Sequence, residues 1–279
     1  MVDKIPRVET GGWPVMIISL LYHDVVAAGE LASSGFPQAD AAVYKLSRPE
    51  FESHLEAIGN EGQGSEVILL NSAAQKIPAK ALLFTFDDGG ASAMLIADLL
   101  EARRWRGHFF ITTDFIGQTG FLAASQIREL RGRGHVIGSH SCSHPARISH
   151  CPPAQLAREW EESVQILSNC LGESVAAASV PGGFYTPRVA KAARDAGIEV
   201  LFTSEPTSRT ALSCGCLIVG RYSVQQGTSA RTVQQIVRGD AGPRVRQYLY
   251  WTTKKVLKRI GGRHYLALRK KILEHNPSA

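Results

Sequence analysis

The stretch Ala81-Leu82-Leu83-Phe84-Thr85-Phe86-Asp87-Asp88-Gly89 decides the fold class of this chain. Its first six residues form an apolar run of strand length, and two aspartates and a glycine follow directly. In parallel βα proteins the reactive side chains lie on the loops after the carboxyl ends of the strands. The stretch therefore predicts a parallel strand that ends in a polar site.

Apolar runs of this kind alternate with amphipathic stretches of helix length along the chain, which is typical of a βαβ protein with a mainly parallel sheet. The predicted strands are 15–21, 81–86, 107–112, 135–138, 175–180, 199–202 and 217–219. The predicted helices are 48–58, 91–104, 125–133, 153–171, 187–196 and 230–238. Seven parallel strands suit a barrel.

The composition of the 279 residues allows a large buried core, since 44% of them are hydrophobic. Around Gly242-Pro243 the sequence changes to aromatic and basic residues in helical spacing. We therefore expect a catalytic domain over residues 1–240 and a basic amphipathic helical tail over residues 241–279. The tail carries much of the basic excess behind the net charge of +6.

The cysteines and the N-terminus bear on the cellular compartment. Five cysteines, an odd number with uneven spacing, do not resemble a disulfide framework. Residues 1–6 do not resemble a secretory leader, and no apolar run reaches the length of a membrane span. We expect a cytoplasmic protein, with peripheral attachment at the inner face of the membrane as an option for its tail.

Asp87 and Asp88 are adjacent, so on an extended backbone their side chains point in different directions and can have different functions. One carboxylate could bind a metal while the other acts as a base. The alternative is a simple turn in which the second aspartate caps the following helix.

His140 and His144 follow another predicted strand and are four residues apart. In one helical turn or a compact loop they could bind one ion, and imidazole with carboxylate suits zinc or a similar divalent ion. The residues between them contain no glutamate, so the base must come from elsewhere, and Asp87 is the candidate. Such a pair is often only a polar loop feature, but its placement with Asp87 and Asp88 favours a metal site.

Two further strand ends carry candidate groups. His23 follows the first predicted strand; alone it would be a packed histidine, but beside a metal site it is a candidate general acid. Pro181-Gly182-Gly183 follows the fifth strand. This segment is most simply a turn, although glycine also lets backbone N–H groups approach an oxyanion.

Thr85-Phe86-Asp87-Asp88-Gly89 followed by His140-Ser141-Cys142-Ser143-His144 resembles the polysaccharide deacetylase family, the NodB-homology group of carbohydrate esterases. The resemblance implies a distorted (β/α) barrel in which Asp87 is the general base. It also implies that Asp88, His140 and His144 hold a divalent metal, most simply Zn²⁺, and that an N-acetylated hexosamine loses its acetyl group.

The chain departs from the family pattern at two places. No histidine lies between His150 and His264, where most members have the acid; instead the segment 20–24 resembles that motif moved to the N-terminus, as in the branch that includes poly-N-acetylglucosamine deacetylases. This implies that His23 is the acid. The third motif, Ser179-Val180-Pro181-Gly182-Gly183-Phe184-Tyr185, lacks the usual arginine, and Arg188 is not at the matching place.

From that third motif we expect Gly183, Phe184 and Tyr185 to contribute to the oxyanion hole or to substrate binding. The predicted substrate is an acetylated glycan or a lipid-linked sugar. The alternatives are a non-catalytic carbohydrate-binding protein on the same fold and an O-acetyl sugar esterase.

The tail between Arg244 and Lys271 has two interpretations. It could be a basic helix packed on the barrel, or it could lie on an anionic membrane surface with its apolar side at the headgroup boundary. Nucleic acid is not expected, because no recognised binding fold accompanies the charge.

Overall fold

The computed structural model describes residues 16–27, 29–60 and 65–253. Its strands are β1 (Met16–Tyr22), β2 (Asp24–Val26), β3 (Lys45–Ser47), β4 (Glu66–Val67), β5 (Lys80–Phe86), β6 (His108–Ile111), β7 (Val136–Ser139), β8 (Ala177–Ser179), β9 (Val200–Phe202), β10 (Thr210–Ser213), β11 (Cys216–Val219) and β12 (Tyr222–Ser223). Each of the seven predicted strands is present, as β1, β5, β6, β7, β8, β9 and β11.

One curled sheet of ten strands forms the centre of the molecule. Its order is β10-β11-β9-β8-β7-β6-β5-β1-β12, with β4 also paired to β5. All of these pairs are parallel except β10 with β11. The longest pairing joins β1 to β5, from Met16 opposite Lys80 to Tyr22 opposite Phe86. This confirms a distorted barrel of mainly parallel strands.

Helices follow the strands and cover the outside of the sheet. They are α1 (Ala39–Ala42), α2 (Arg48–Gly59), α3 (Ala93–Glu101), α4 (Ala124–Gly132), α5 (Pro153–Leu171), α6 (Pro187–Asp195) and α7 (Ala230–Arg238). The six predicted helices correspond to α2 through α7. Their ends have local causes: Ser47 and Glu50 form a capping box before α2, and Gly172 closes α5 in the left-handed conformation, with φ 72°.

The strands bury both of their faces, which explains their nearly continuous apolar sequences. In β1, Ile18 and Leu20 belong to the outer cluster that packs under the helices, whereas Ile17 belongs to the inner cluster. That inner cluster also contains Phe110 and Phe202, so the barrel interior is filled with side chains. The carboxyl ends of the strands remain as the place for a ligand.

The structure adds elements that the sequence did not predict. Strands β2 and β3 form a separate parallel pair. Residues 241–253 are helical, as predicted for the start of the tail. Residues 254–279, which hold most of the predicted basic tail, lie outside the described residues. Within the described ranges, no helix has both the length and the apolar character needed to cross a bilayer.

Candidate active site

The two adjacent aspartates occupy a sharp turn at the end of β5. The Asp87 N–H donates to the Tyr22 carbonyl at 3.1 Å, which continues the pairing with β1 for one residue. The chain then turns through two left-handed residues, Asp88 with φ 76° and Gly89 with φ 82°. An aspartate at positive φ costs conformational energy, and such residues are typical of functional sites. The turn directs the two carboxylates differently while both remain buried.

A second loop, after β7, carries His140 and His144. Glu159 of α5 holds this loop, because its carboxylate accepts the Ser143 hydroxyl at 2.6 Å and the backbone N–H groups of Cys142 and Ser143 at 3.1 and 2.9 Å. His144 is at φ 53°, another non-glycine residue in the left-handed region. The loop is therefore a compact turn fixed by a buried carboxylate, and no helix is needed to bring the two imidazoles together.

Asp88, His140 and His144 converge on one point. One possible ligand atom from each residue lies within 4.8 Å of the others. Asp88 Oδ1 lies 3.4 Å from His140 Nε2 and 3.6 Å from His144 Nε2, and it is a buried oxygen that makes no hydrogen bond. A buried, unsatisfied carboxylate oxygen facing two imidazole nitrogens is costly unless a cation completes it. The three residues therefore fit a divalent metal ion.

The orientation of His140 supports the same conclusion. Its Nδ1 lies 3.0 Å from the Ser179 carbonyl, and that carbonyl can only accept, so Nδ1 is the protonated nitrogen. When the ring is neutral, the opposite nitrogen, Nε2, presents its lone pair to Asp88 and His144. Metal-binding histidines are typically oriented by such a bond from the other ring nitrogen.

Asp87 has a different partner. The Arg221 guanidinium donates to both of its oxygens, from Nη1 to Oδ1 at 2.7 Å and from Nη2 to Oδ2 at 2.8 Å. Nη2 also donates to the Ser179 hydroxyl at 2.7 Å, and that hydroxyl donates to Asp87 at 3.0 Å. Arg221 is completely buried. Arg221, which follows β11, thus binds Asp87 in place of the arginine that the third motif lacks.

The charges of this cluster keep both aspartates ionised. Burial alone would raise the pKa of Asp87, but the Arg221 guanidinium and the nearby His140 outweigh it and hold that pKa below its ordinary value. Burial also opposes ionisation of Asp88, and the imidazoles of His140, His23 and His144 outweigh it in the same way. Both groups are therefore carboxylates at neutral pH, suited to accept a proton or to bind a cation.

His23 lies in the connection between β1 and β2. Its ring stacks on Tyr44, with centroids 4.5 Å apart, and its Nδ1 is buried without a hydrogen-bond partner among the described residues. Such an unsatisfied nitrogen is uncommon in a packed core and is typical of a site that contacts a ligand.

The third-motif segment is a short 3₁₀ turn over Pro181–Gly183. Its N–H groups already have partners, since Gly183 donates to Val180 at 3.2 Å and Phe184 donates to Pro181 at 3.4 Å. A Cβ on Gly183 would lie 2.9 Å from the Ser204 side chain, so this position needs glycine. The oxyanion role of the segment remains a prediction.

A cavity of about 1040 Å³ lies at the carboxyl ends of the strands. All the predicted site residues line it: His23, Asp87, Asp88, His140, His144, Gly183, Phe184 and Tyr185. Its wall also includes residues that the sequence did not indicate, among them Phe36, Tyr44 and Trp251. Arg188 contacts the carbonyls of Ser149 and Cys151 instead of Asp87.

The residues that sequence reasoning missed are Arg221 and Glu159. Arg221 follows β11 by two residues, so applying the strand-end rule to the predicted strand 217–219 would have reached it. Glu159 lies in the middle of α5, where a buried glutamate on the apolar face was the available signal. Both act through partners that are distant in sequence.

Comparisons with known proteins agree with this geometry. Residues 74–201 match the family model described as polysaccharide deacetylase. YxkH of Bacillus subtilis (strain 168), whose name places it provisionally among the polysaccharide deacetylases, is 24% identical over 208 residues, which are 71% of this chain and 70% of that protein.

Two solved structures share the fold. The deacetylase PplD of Streptococcus pyogenes, in complex with acetate, has a TM-score of 0.66 at 19% identity, covering 80% of this chain and 99% of that one. IcaB from Ammonifex degensii has a TM-score of 0.65 at 21% identity, covering 81% and 98%. At these identities the likeness bears on the fold, and it confirms the distorted barrel.

Proposed function

Because residues 74–201 carry a polysaccharide deacetylase domain, we propose that this protein is a metal-dependent hydrolase that removes acetyl groups from N-acetylated hexosamine units. The substrate is a glycan or a lipid-linked sugar. The observation that carries the proposal is the pairing of a metal-type group, Asp88 with His140 and His144, with a separate carboxylate, Asp87, in one cavity. A hydrolase of this kind needs both a cation site and a base.

The three ligands leave coordination positions for water and substrate, as catalytic zinc sites do. A divalent ion held there would act as a Lewis acid toward the acetyl carbonyl and acidify the attacking water. The proposed ion is zinc, because two imidazoles and one carboxylate are ligands that suit it.

The residues of this chain would then share the proton transfers. Asp87, kept ionised by Arg221, removes the proton of the attacking water. His23 donates a proton to the leaving sugar amine, and the turn near Gly183 and Phe184 borders the developing oxyanion. The support for this division is that Asp87 is bound by an arginine, whereas Asp88 faces the two imidazoles.

Two alternatives remain. A carbohydrate-binding protein without turnover would keep the fold, but it has no need for a base held by a buried arginine. An O-acetyl sugar esterase would use the same groups, and its alkoxide leaving group needs less assistance from an acid than an amine does. An acid at His23, which lines the cavity, would therefore matter more for the amide substrate.

We also propose that the basic segment from Arg244 onward attaches the protein to the inner face of an anionic membrane, beside lipid-linked glycans. Within the described part of this segment, Val245 and Leu249 are 52% and 60% exposed, next to the basic Arg246. Exposed apolar groups beside basic ones are the pattern of an interfacial helix. Apart from Arg244, which binds the Tyr222 hydroxyl, its other basic residues lie outside the described ranges.

The decisive experiment is acetate release from a panel of soluble N-acetylated oligosaccharides, O-acetylated sugars and lipid-linked N-acetylhexosamine, using protein loaded with zinc. We expect release from an N-acetylated substrate, loss after chelation and recovery after zinc is restored. Asp87→Asn is the control, since it removes the base and leaves the three ligands intact. Bound metal with no acetate release from any substrate would favour the binding-protein alternative.

A further inference from the structure

The helix over residues 241–253 is fixed to the edge of the barrel by polar side chains on one of its faces. The Arg244 guanidinium donates to the Tyr222 hydroxyl at 2.7 Å and lies over the same ring, 5.6 Å from its centroid. One turn later, the Gln247 side-chain amide donates to the Ser223 carbonyl at 2.9 Å. Both acceptors belong to β12, so directional bonds hold this helix against one strand.

These anchors bring the next helical turn to the catalytic cavity. Trp251 follows Gln247 by four residues and therefore lies on the same face of the helix. Trp251 and Tyr250 line the cavity that also contains the proposed metal ligands. Because Ser223 pairs beside β1, the strand that leads to His23, the two aromatic side chains approach the cavity from the sheet edge that carries the proposed acid.

The size of the cavity leaves room for more than the reacting sugar. Its volume of about 1040 Å³ is at the upper end of the range of roughly 300–1,000 Å³ for sites that hold a drug-sized ligand. Tyr250 and Trp251 offer flat apolar rings with an O–H or N–H at the edge. A hexosamine ring has the matching character, with an apolar face of C–H groups and a polar rim.

We propose that Tyr250 and Trp251 form a sugar-binding subsite, on which a hexosamine unit next to the one being deacetylated stacks. The inference rests on the proposed function and extends it, because it makes the enzyme selective for oligomeric or polymeric glycans. It also assigns a role to the segment beyond residue 240. The two aromatic residues position the chain of sugars and take no part in the acetyl transfer.

The test compares a substrate that reaches the subsite with one that does not. For Trp251→Ala and Tyr250→Ala, we expect kcat/KM for a soluble N-acetylglucosamine pentamer to fall about tenfold, the loss that corresponds to one good aromatic stack. With a small aryl acetate both variants should match the wild type. Leu249→Ala is the matched control, since Leu249 is on the same helix, is 60% exposed and does not line the cavity.

A binding measurement separates this inference from the proposed function. Adding the pentamer to the full-length protein should change its tryptophan fluorescence, and Trp251→Phe should abolish that change while free acetate leaves the fluorescence unaltered. A pentamer-dependent signal without acetate release would support the subsite and contradict the hydrolase. Equal losses on the pentamer and on the aryl acetate, or a signal unchanged in Trp251→Phe, would overturn the subsite.

Discussion

The Arg221 guanidinium binds the Asp87 carboxylate through two parallel hydrogen bonds of 2.7 and 2.8 Å, with both side chains buried. Bidentate pairs of this kind fix orientation as well as charge. The Asp87 carboxylate cannot rotate toward the two histidines without breaking these two hydrogen bonds. Arg221 thus gives the proposed base, Asp87, a different role from the adjacent proposed metal ligand, Asp88.

Removing that arginine should destabilise the protein, because it leaves a buried carboxylate without its partner. We expect Arg221→Ala to lower the free energy of unfolding by about 3 to 5 kcal/mol, and Arg221→Lys to cost less since it keeps the charge without the bidentate geometry. Denaturant unfolding measures both. In an Asp87→Asn background the same alanine substitution should cost clearly less, and an equal cost there would show that the pair is not coupled.

The two aspartates should differ in metal content. Asp87→Asn should retain about one zinc ion per chain and lose roughly 10²-fold or more in turnover, the effect of a missing general base. Asp88→Asn, like His140→Ala and His144→Ala, should lose the metal. Elemental analysis after dialysis gives the result, and equal metal loss in both aspartate variants would refute the division of roles.

His23 should matter most when the leaving group is a poor one. His23→Ala should keep its metal but release acetate from an N-acetyl amide at roughly 10²-fold lower rate, because the amine needs protonation. An aryl acetate, whose phenolate leaves without a proton, should be affected much less. His150→Ala is the control, as His150 lines the same cavity. Equal effects of His23→Ala on both substrates would show that His23 only packs against its neighbours.

His108 should make stability depend on pH. Burial lowers its pKa from 6.5 to about 4, and its Nδ1 lies 3.1 Å from the Phe84 carbonyl. The unfolded chain therefore binds this proton at a higher pH than the folded one, so stability is complete above pH 6.5 and decreases as the pH falls toward 4.

Between pH 7 and pH 5 this single group should account for about 2 kcal/mol of the free energy of unfolding. Unfolding of the wild type and of His108→Gln by denaturant at both pH values measures it. Other buried histidines, His54 and His135, also have lowered pKa values, so the difference between the two proteins isolates His108. Identical pH dependence in the wild type and in His108→Gln would show that His108 does not cause the loss of stability.

The membrane proposal is tested with a chain that ends at Thr253. Full-length protein should sediment with anionic liposomes at low salt and be released by added salt, because each basic residue near the surface contributes about 1 kcal/mol. The shortened chain should not sediment, yet it should still release acetate from a soluble glycan, since it keeps Trp251 in the cavity wall. Failure of the full-length protein to bind would exclude the membrane surface.

The parts of the site that the sequence predicted are those encoded locally. Asp87 and Asp88 follow β5 without a gap, and His140 follows β7. Since parallel strands bring their carboxyl ends to one edge, strand positions alone predicted that these groups meet. The seven main strands were predictable for a similar reason, because each was marked by an apolar run of three to seven residues, which indicates a buried strand.

The sequence by itself thus determined the strand pattern, the polar strand ends and the candidate ligands Asp88, His140 and His144. Tertiary structure alone decided which charge neutralises Asp87, and that the helix over residues 241–253 lines one side of the cavity. Arg221 and Asp87 are 134 residues apart, and Gln247 reaches Ser223 only after the curl of the sheet has placed β12 beside β1. The physical reason is that a side-chain partner is selected by distance and direction in space, and neither quantity is recorded in the residues next to it.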